Sequence, residues 1–188
     1  AGGVASFTEA YYSFDYGNIH FICLDASESD RSPSAVMLQW AQQDIAATSR
    51  EWVIVFWHQP PYSKGNHDSD NDLDMVEMRE NALPILEQAG VDLTLCGHSH
   101  SYERTFLIDG HYGLSPTFGP AVTKDGGNGR IDGTGAYRKA TAGRASHEGT
   151  VNVVAGSAGQ HSGGTLDHPA MFVSYDELGS VVLDVRGR

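Results

Sequence analysis

Two segments of this chain that read as buried strands lead into histidine. Residues 52–57, WVIVFW, lead into His58, and residues 91–96, VDLTLC, lead into Gly97-His98-Ser99-His100. Neutral imidazole is a ligand for Zn, Fe, Mn-type and Ni ions and needs no thiolate beside it. In an extended segment, His98 and His100 would share one side, about 7 Å apart at the backbone. Two imidazoles so spaced can each take one member of a metal pair about 3.5–4 Å apart. Gly97 removes a side chain where the backbone must turn close to such a site. One histidine at a strand end is an ordinary rim residue, whereas three at the ends of two neighbouring buried strands form a ligand set. His20, His111, His147, His161 and His168 fall in a hairpin or in loops and read as surface residues. Cys23 and Cys96 read as small buried strand residues, not as ligands.

These histidines need a scaffold, and the sequence supplies one. Residues 11–25 alternate apolar and polar positions on both sides of Gly17-Asn18, as a β-hairpin does. Residues 34–48 carry an apolar stripe at helical spacing, with Ser34 placed to cap it. The WVIVFW run fits a strand buried on both faces. Residues 75–88 predict a second helix, which Pro84 should kink or split and Gly90 should stop. Further strands are expected at 91–96, 102–108, 151–155, 170–175 and 180–185. Residues 113–147 are rich in Gly, Thr, Ser and Pro and read as a long surface excursion. The order predicts an α/β fold, a mixed sheet layered with helices, in one domain over residues 1–188. Open sheets of this kind do chemistry beyond the C-terminal ends of their strands, where His58, His98 and His100 stand.

Composition narrows the partners. The 188 residues hold 12 Lys and Arg against 24 Asp and Glu, a net charge of −12, so nucleic acid and anionic membrane surfaces are disfavoured partners. Two Cys make no disulfide framework. No apolar run approaches the roughly 20 residues of a membrane span. The opening AGGVASFTEAYY lacks a basic and then apolar leader.

The strings VIVFWHQPPYS and VDLTLCGHSHSYER resemble the C-terminal half of a metallophosphoesterase, and more narrowly the purple acid phosphatase-like branch of the calcineurin-like superfamily. GTVNVVAGSAGQ and GSVVLDVRG are similar to its closing strands. The resemblance implies a layered mixed-sheet sandwich, a dinuclear site of Fe, Zn or Mn type, phosphate ester substrates, and a secreted or periplasmic setting. It implies that His58 and His98 bind the second metal and His100 the first. His67, nine positions beyond His58, matches a histidine that contacts the substrate phosphate and protonates the leaving group. The family's first three sequence blocks, which bring the bridging Asp and the Asn ligand, precede a hairpin like that of residues 11–25 and are not found here. Gly65-Asn66-His67-Asp68 spells the third block in the wrong place and reads as coincidence. The expectation is therefore a partial domain that binds at most one ion, turns nothing over alone, and self-associates through the surface its N-terminal half would cover.

Asp68, Asp70, Asp72 and Glu103 are near the histidines in sequence and read as solvated charges, with Glu103-Arg104 as a structural ion pair. Two other classes of function compete with the hydrolase. One is a folded fragment without a metal pair. The other is a carbohydrate- or protein-binding β-module, which leaves the strand-end histidines unexplained.

Overall fold

The computed structural model describes residues 2–133 and 135–187. Its centre is a seven-stranded mixed sheet. The hairpin forms as expected, from β1 (Tyr12–Tyr16) and β2 (Ile19–Cys23), paired antiparallel about Gly17. Then come α1 (Val36–Ala47), β3 (Trp52–Phe56), α2 (Leu73–Glu77), a π-helical turn at Met78–Ala82, and α3 (Leu83–Gln88). The strands β4 (Leu93–Cys96), β5 (Tyr102–Thr105), β6 (Leu107–Ile108), β7 (Thr123–Asp125), β8 (Val151–Ala155) and β9 (Met171–Tyr175) complete it. The sheet order is β1-β2-β3-β4-β8-β5-β9, while β6 and β7 pair separately. β2, β3, β4 and β8 run parallel, and β5 returns antiparallel to β8.

The core follows from alternation along the strands. Ile22, Val53 and Val55 lie in one buried cluster with Met37, Leu38 and Ile45 of α1 and Leu83 and Leu86 of α3. The opposite face carries Phe14, Phe21 and Phe56, which are exposed or half-buried. Phe14 and Phe21 are cross-strand partners with ring centroids 5.0 Å apart. No described helix is long and apolar enough to cross a membrane.

Several expectations are corrected. The second helix starts at Leu73, and it is split as expected, with Pro84 in the first turn of α3. A proline ring clashes with the carbonyl four residues back, and the wider π turn immediately before Pro84 absorbs that conflict. Ala35, not Ser34, stands at the N-cap of α1 and gives no side-chain cap. Residues 180–185 form no strand. The tail leaves the β9 edge and crosses the sheet, so that the Arg186 carbonyl accepts from Trp52 Nε1 at 2.8 Å beside β3. A segment crossing strands cannot pair with them.

Three histidines read as surface residues are buried. His20 is fully enclosed between Asp15 at 2.7 Å and Asp44 at 2.8 Å. His111 and His168 flank the buried Tyr62 ring, at 5.8 and 5.4 Å between centroids. Burial pushes the pKa of the His168 imidazole down to about 3 and so keeps it neutral. Cys96 is buried as expected, and Cys23 is half-buried.

Candidate functional site

His58 follows β3 and His98 follows β4, so parallel pairing brings both to one rim of the sheet. The Gly97 amide donates to the His58 carbonyl at 3.0 Å, which ties the two turns together. From these turns His98 Nδ1 lies 3.2 Å from His58 Nε2. The His67 ring stacks on His98 at 3.7 Å between centroids. Asp72 Oδ2 completes the group, 3.2 Å from His98 Nε2 and 3.5 Å from His67 Nδ1. Donor atoms of His67, Asp72 and His98 all lie within 4.8 Å of one another, a spacing that one metal ion can span.

The turn after β4 is not extended. His98 has φ of +61°, in the left-handed region that non-glycine residues seldom enter. The cause is topological. The chain must reverse from β4 into β5 while stepping past β8, which lies between them. The i, i+2 alternation of an extended strand therefore does not hold through this turn. His100 sits beside the group with its Nδ1 on Ser162 Oγ at 3.0 Å.

The glycine that matters for close approach is not Gly97, where an added Cβ would meet His58 at an ordinary 3.7 Å. It is Gly156, where a Cβ would lie 2.0 Å from the Ser99 carbonyl oxygen. The end of β8 must pass that close for the Gly156 amide to reach the Ser101 carbonyl at 3.1 Å.

A second layer holds the loop that carries His67. Glu103 is fully buried, and there is no ion pair with Arg104, which points to the other face and stands over the Tyr137 and Phe172 rings. Glu103 instead accepts from Ser63 Oγ at 2.5 Å, Ser101 Oγ at 2.8 Å and the Lys64 amide at 3.2 Å. Ser99 Oγ donates to the His67 carbonyl at 3.1 Å. Asn66 Oδ1 accepts from the His100 amide at 2.7 Å, so this side chain anchors the histidine turn. Asp68 and Asp70 are occupied by Lys64 at 2.5 and 2.9 Å.

Of the four nearby carboxylates, among which the sequence makes no choice, it is Asp72 that reaches the second nitrogen of His98. It is the N-cap of α2, with Oδ1 accepting from the Asp74 amide at 3.2 Å. An Asp immediately before a helical run is a start signal, and that signal could have placed this carboxylate at the rim.

The electrostatics favour neutral imidazoles. Burial, then the neighbouring histidines, lower the pKa of His58. His67 is also lowered by burial and by His98, against the opposing pull of Asp72. Burial works to raise the Asp72 carboxyl, but His98 and the backbone amides outweigh it and hold it low. Unprotonated imidazoles beside an ionised carboxylate are a donor set for a transition ion.

The model of the family described as calcineurin-like phosphoesterase matches residues 2–102, a span that contains His58, His67, Asp72, His98 and His100. Purple acid phosphatase 18 of Arabidopsis thaliana is 36% identical over 124 residues, covering 63% of this chain and 27% of that protein. Probable purple acid phosphatase 20 of the same plant is 30% identical over 131 residues, covering 68% of this chain and 30% of that protein. The chain thus spans somewhat over a quarter of the length of these relatives. Among solved structures, purple acid phosphatase PPD1 from yellow lupin covers 90% of this chain and 27% of its own, with a TM-score of 0.63 and 20% identity, and shares the fold. Motif, fold and family match agree, and the chain belongs to the calcineurin-like phosphoesterase family, resembling its purple acid phosphatases.

Proposed function

We propose that this chain supplies the histidine ligands of a metal-dependent phosphoester hydrolase of the acid phosphatase type. The observation that carries the proposal is the meeting of His58, His67, His98 and Asp72 beyond the C-terminal ends of two parallel strands. His58 and His98 would hold one ion, and His100 would serve the other. His58 Nε2 and His98 Nδ1, 3.2 Å apart, fit as two ligands of one transition ion of Fe, Zn or Mn type, with Asp72 on the other nitrogen of His98 and His67 left free. A pair needs a bridging carboxylate, and Asp72 already serves His67, His98 and the α2 cap. The group therefore accounts for one ion in these residues, and no turnover is expected of the chain alone. Bound ions supply Lewis-acid polarisation and neutralise phosphate charge.

The remaining steps belong to side chains. His67 contacts the phosphoryl group and gives a proton to the leaving oxygen. Its Nδ1 faces Asp72, so its other nitrogen is left for a substrate oxygen. Asp72 favours the imidazolium form that proton donation requires, while burial and His98 oppose it, which fits work at acid pH. Glu103 fixes the loop on which His67 rides.

Calorimetry with inorganic phosphate tests this reading. Phosphate should bind the Zn-loaded chain and not the metal-free chain, and His67→Ala should weaken it about tenfold, the scale of one charge-assisted hydrogen bond. Phosphate binding that is indifferent to zinc, or absent with zinc bound, would contradict it.

A further inference from the structure

A second ligand group lies at the other end of the sheet, where α3 leads into β4 and a loop leads into β8. It contains Glu87, Asp109 and His147, with donor atoms within 4.8 Å of one another. Glu87 is 2% exposed. Its Oε2 accepts from the Gly110 amide at 2.8 Å and the Tyr112 hydroxyl at 2.6 Å, but its buried Oε1 has no hydrogen-bond partner. Asp109 is 9% exposed, with Oδ2 3.3 Å from Lys124 Nζ and Oδ1 3.0 Å from His147 Nδ1.

The hydrogen bonds around His147 fix what its Nδ1 can offer. Ser146 Oγ donates to the Gln88 carbonyl at 2.5 Å and so accepts from Gln88 Nε2 at 3.1 Å. That orients the amide with Oε1 toward His147 Nε2, 2.9 Å away, and an amide oxygen can only accept. Nε2 therefore carries the proton, and in the neutral ring Nδ1 is a lone pair. In that tautomer a lone pair faces a carboxylate oxygen at 3.0 Å beside an orphaned carboxylate oxygen, and Lys124 reaches only the far oxygen of Asp109, so a cation among the three ligand atoms would relieve an unfavourable contact. A ring nitrogen whose N–H is held by a carbonyl oxygen is also the usual arrangement of a metal-ligating histidine.

We propose that Glu87, Asp109 and His147 form a structural site for a divalent cation of the zinc type, separate from the strand-end histidines. Two carboxylates and one imidazole leave a fourth, water position on a tetrahedral ion. The exposed His147 edge gives the ion its entry. His147 is held at φ of +59°, with its amide on the Glu87 carbonyl at 3.1 Å, so the loop already wraps the group. A bound ion would pin the end of the long excursion to α3 and to the turn after β6. Burial, with Asp109 beside it, pushes the Glu87 carboxyl up to about 7.

The test uses the full chain carrying His58→Ala and His98→Ala, so that the strand-end group is silent whatever its function. After equilibration with zinc and desalting, this variant should retain about one ion by elemental analysis. Zinc at a hundredfold excess over Kd should raise its Tm by roughly 5 °C or more. Adding Glu87→Gln or His147→Ala should remove both effects, while the metal-free Tm of the Gln variant stays near that of its parent. Absence of retained zinc in the background variant, or zinc retained equally after Glu87→Gln and His147→Ala, would overturn the proposal.

Discussion

Asp72 caps α2 with one carboxylate oxygen and holds the other 3.2 Å from His98 Nε2. One side chain thus joins a helix start to the histidine-bearing turn. Asparagine caps helices about as well as aspartate but brings no charge. Asp72→Asn should therefore leave Tm within about 2 °C of wild type, because the cap survives. Zinc affinity should fall about 10–100-fold. Competition with a chelating dye and thermal melts measure the two effects separately. A fall in Tm without a fall in affinity would assign Asp72 to the helix alone.

Glu103 is the buried acceptor on which the His67 loop hangs. Glu103→Ala leaves Ser101 Oγ and the Lys64 amide without their acceptor, while Ser63 Oγ keeps only Ser99 Oγ as acceptor. Orphaned buried donors cost about 1–3 kcal/mol each, and partial relaxation should bring the total to about 3 kcal/mol. Urea unfolding measures this loss. Glu103→Gln keeps an acceptor oxygen and should recover much of it. Equal stability of Glu103→Ala and wild type would mean that the loop is held elsewhere.

The apolar alternation of residues 11–25 and the WVIVFW and VDLTLC runs made the hairpin and the parallel neighbours legible, because burial imposes those patterns directly. The convergence of His58 with His98 followed from the same strands. The left-handed turn at His98 did not, since it goes with β8 lying between β4 and β5, a long-range pairing that no local pattern records. Glu103 was read as exposed for a similar reason. Its donors Lys64 and Ser63 lie 39 and 40 residues away, beyond any sequence window. His20 was misread because its two carboxylate partners lie on different elements, β1 and α1.

His20 makes stability depend on pH in a stated direction. Burial works to lower its pKa, but hydrogen bonds and charge from Asp44 and Asp15 outweigh that and raise it. A raised imidazole stabilises the fold fully below its unfolded pKa of about 6.5, and that stabilisation fades as pH rises through the folded value. Asp15 and Asp44 are held low, against burial, in large part by His20, so their contribution is present above 3.8 and fades as pH falls. The stability difference between wild type and His20→Gln should therefore be largest between about pH 4 and 6.5 and shrink toward pH 8. Urea midpoints across this range measure it. A difference that grows with pH would mean that His20 is neutral in the fold.

The central claim is that the strand-end histidines hold a metal ion. Its most direct test is zinc content of the desalted chain by elemental analysis, compared between wild type and the His58→Ala, His98→Ala double variant. The account predicts a difference of about one ion per chain, with urea stability of the metal-free forms little changed. Equal zinc content in the two would contradict it.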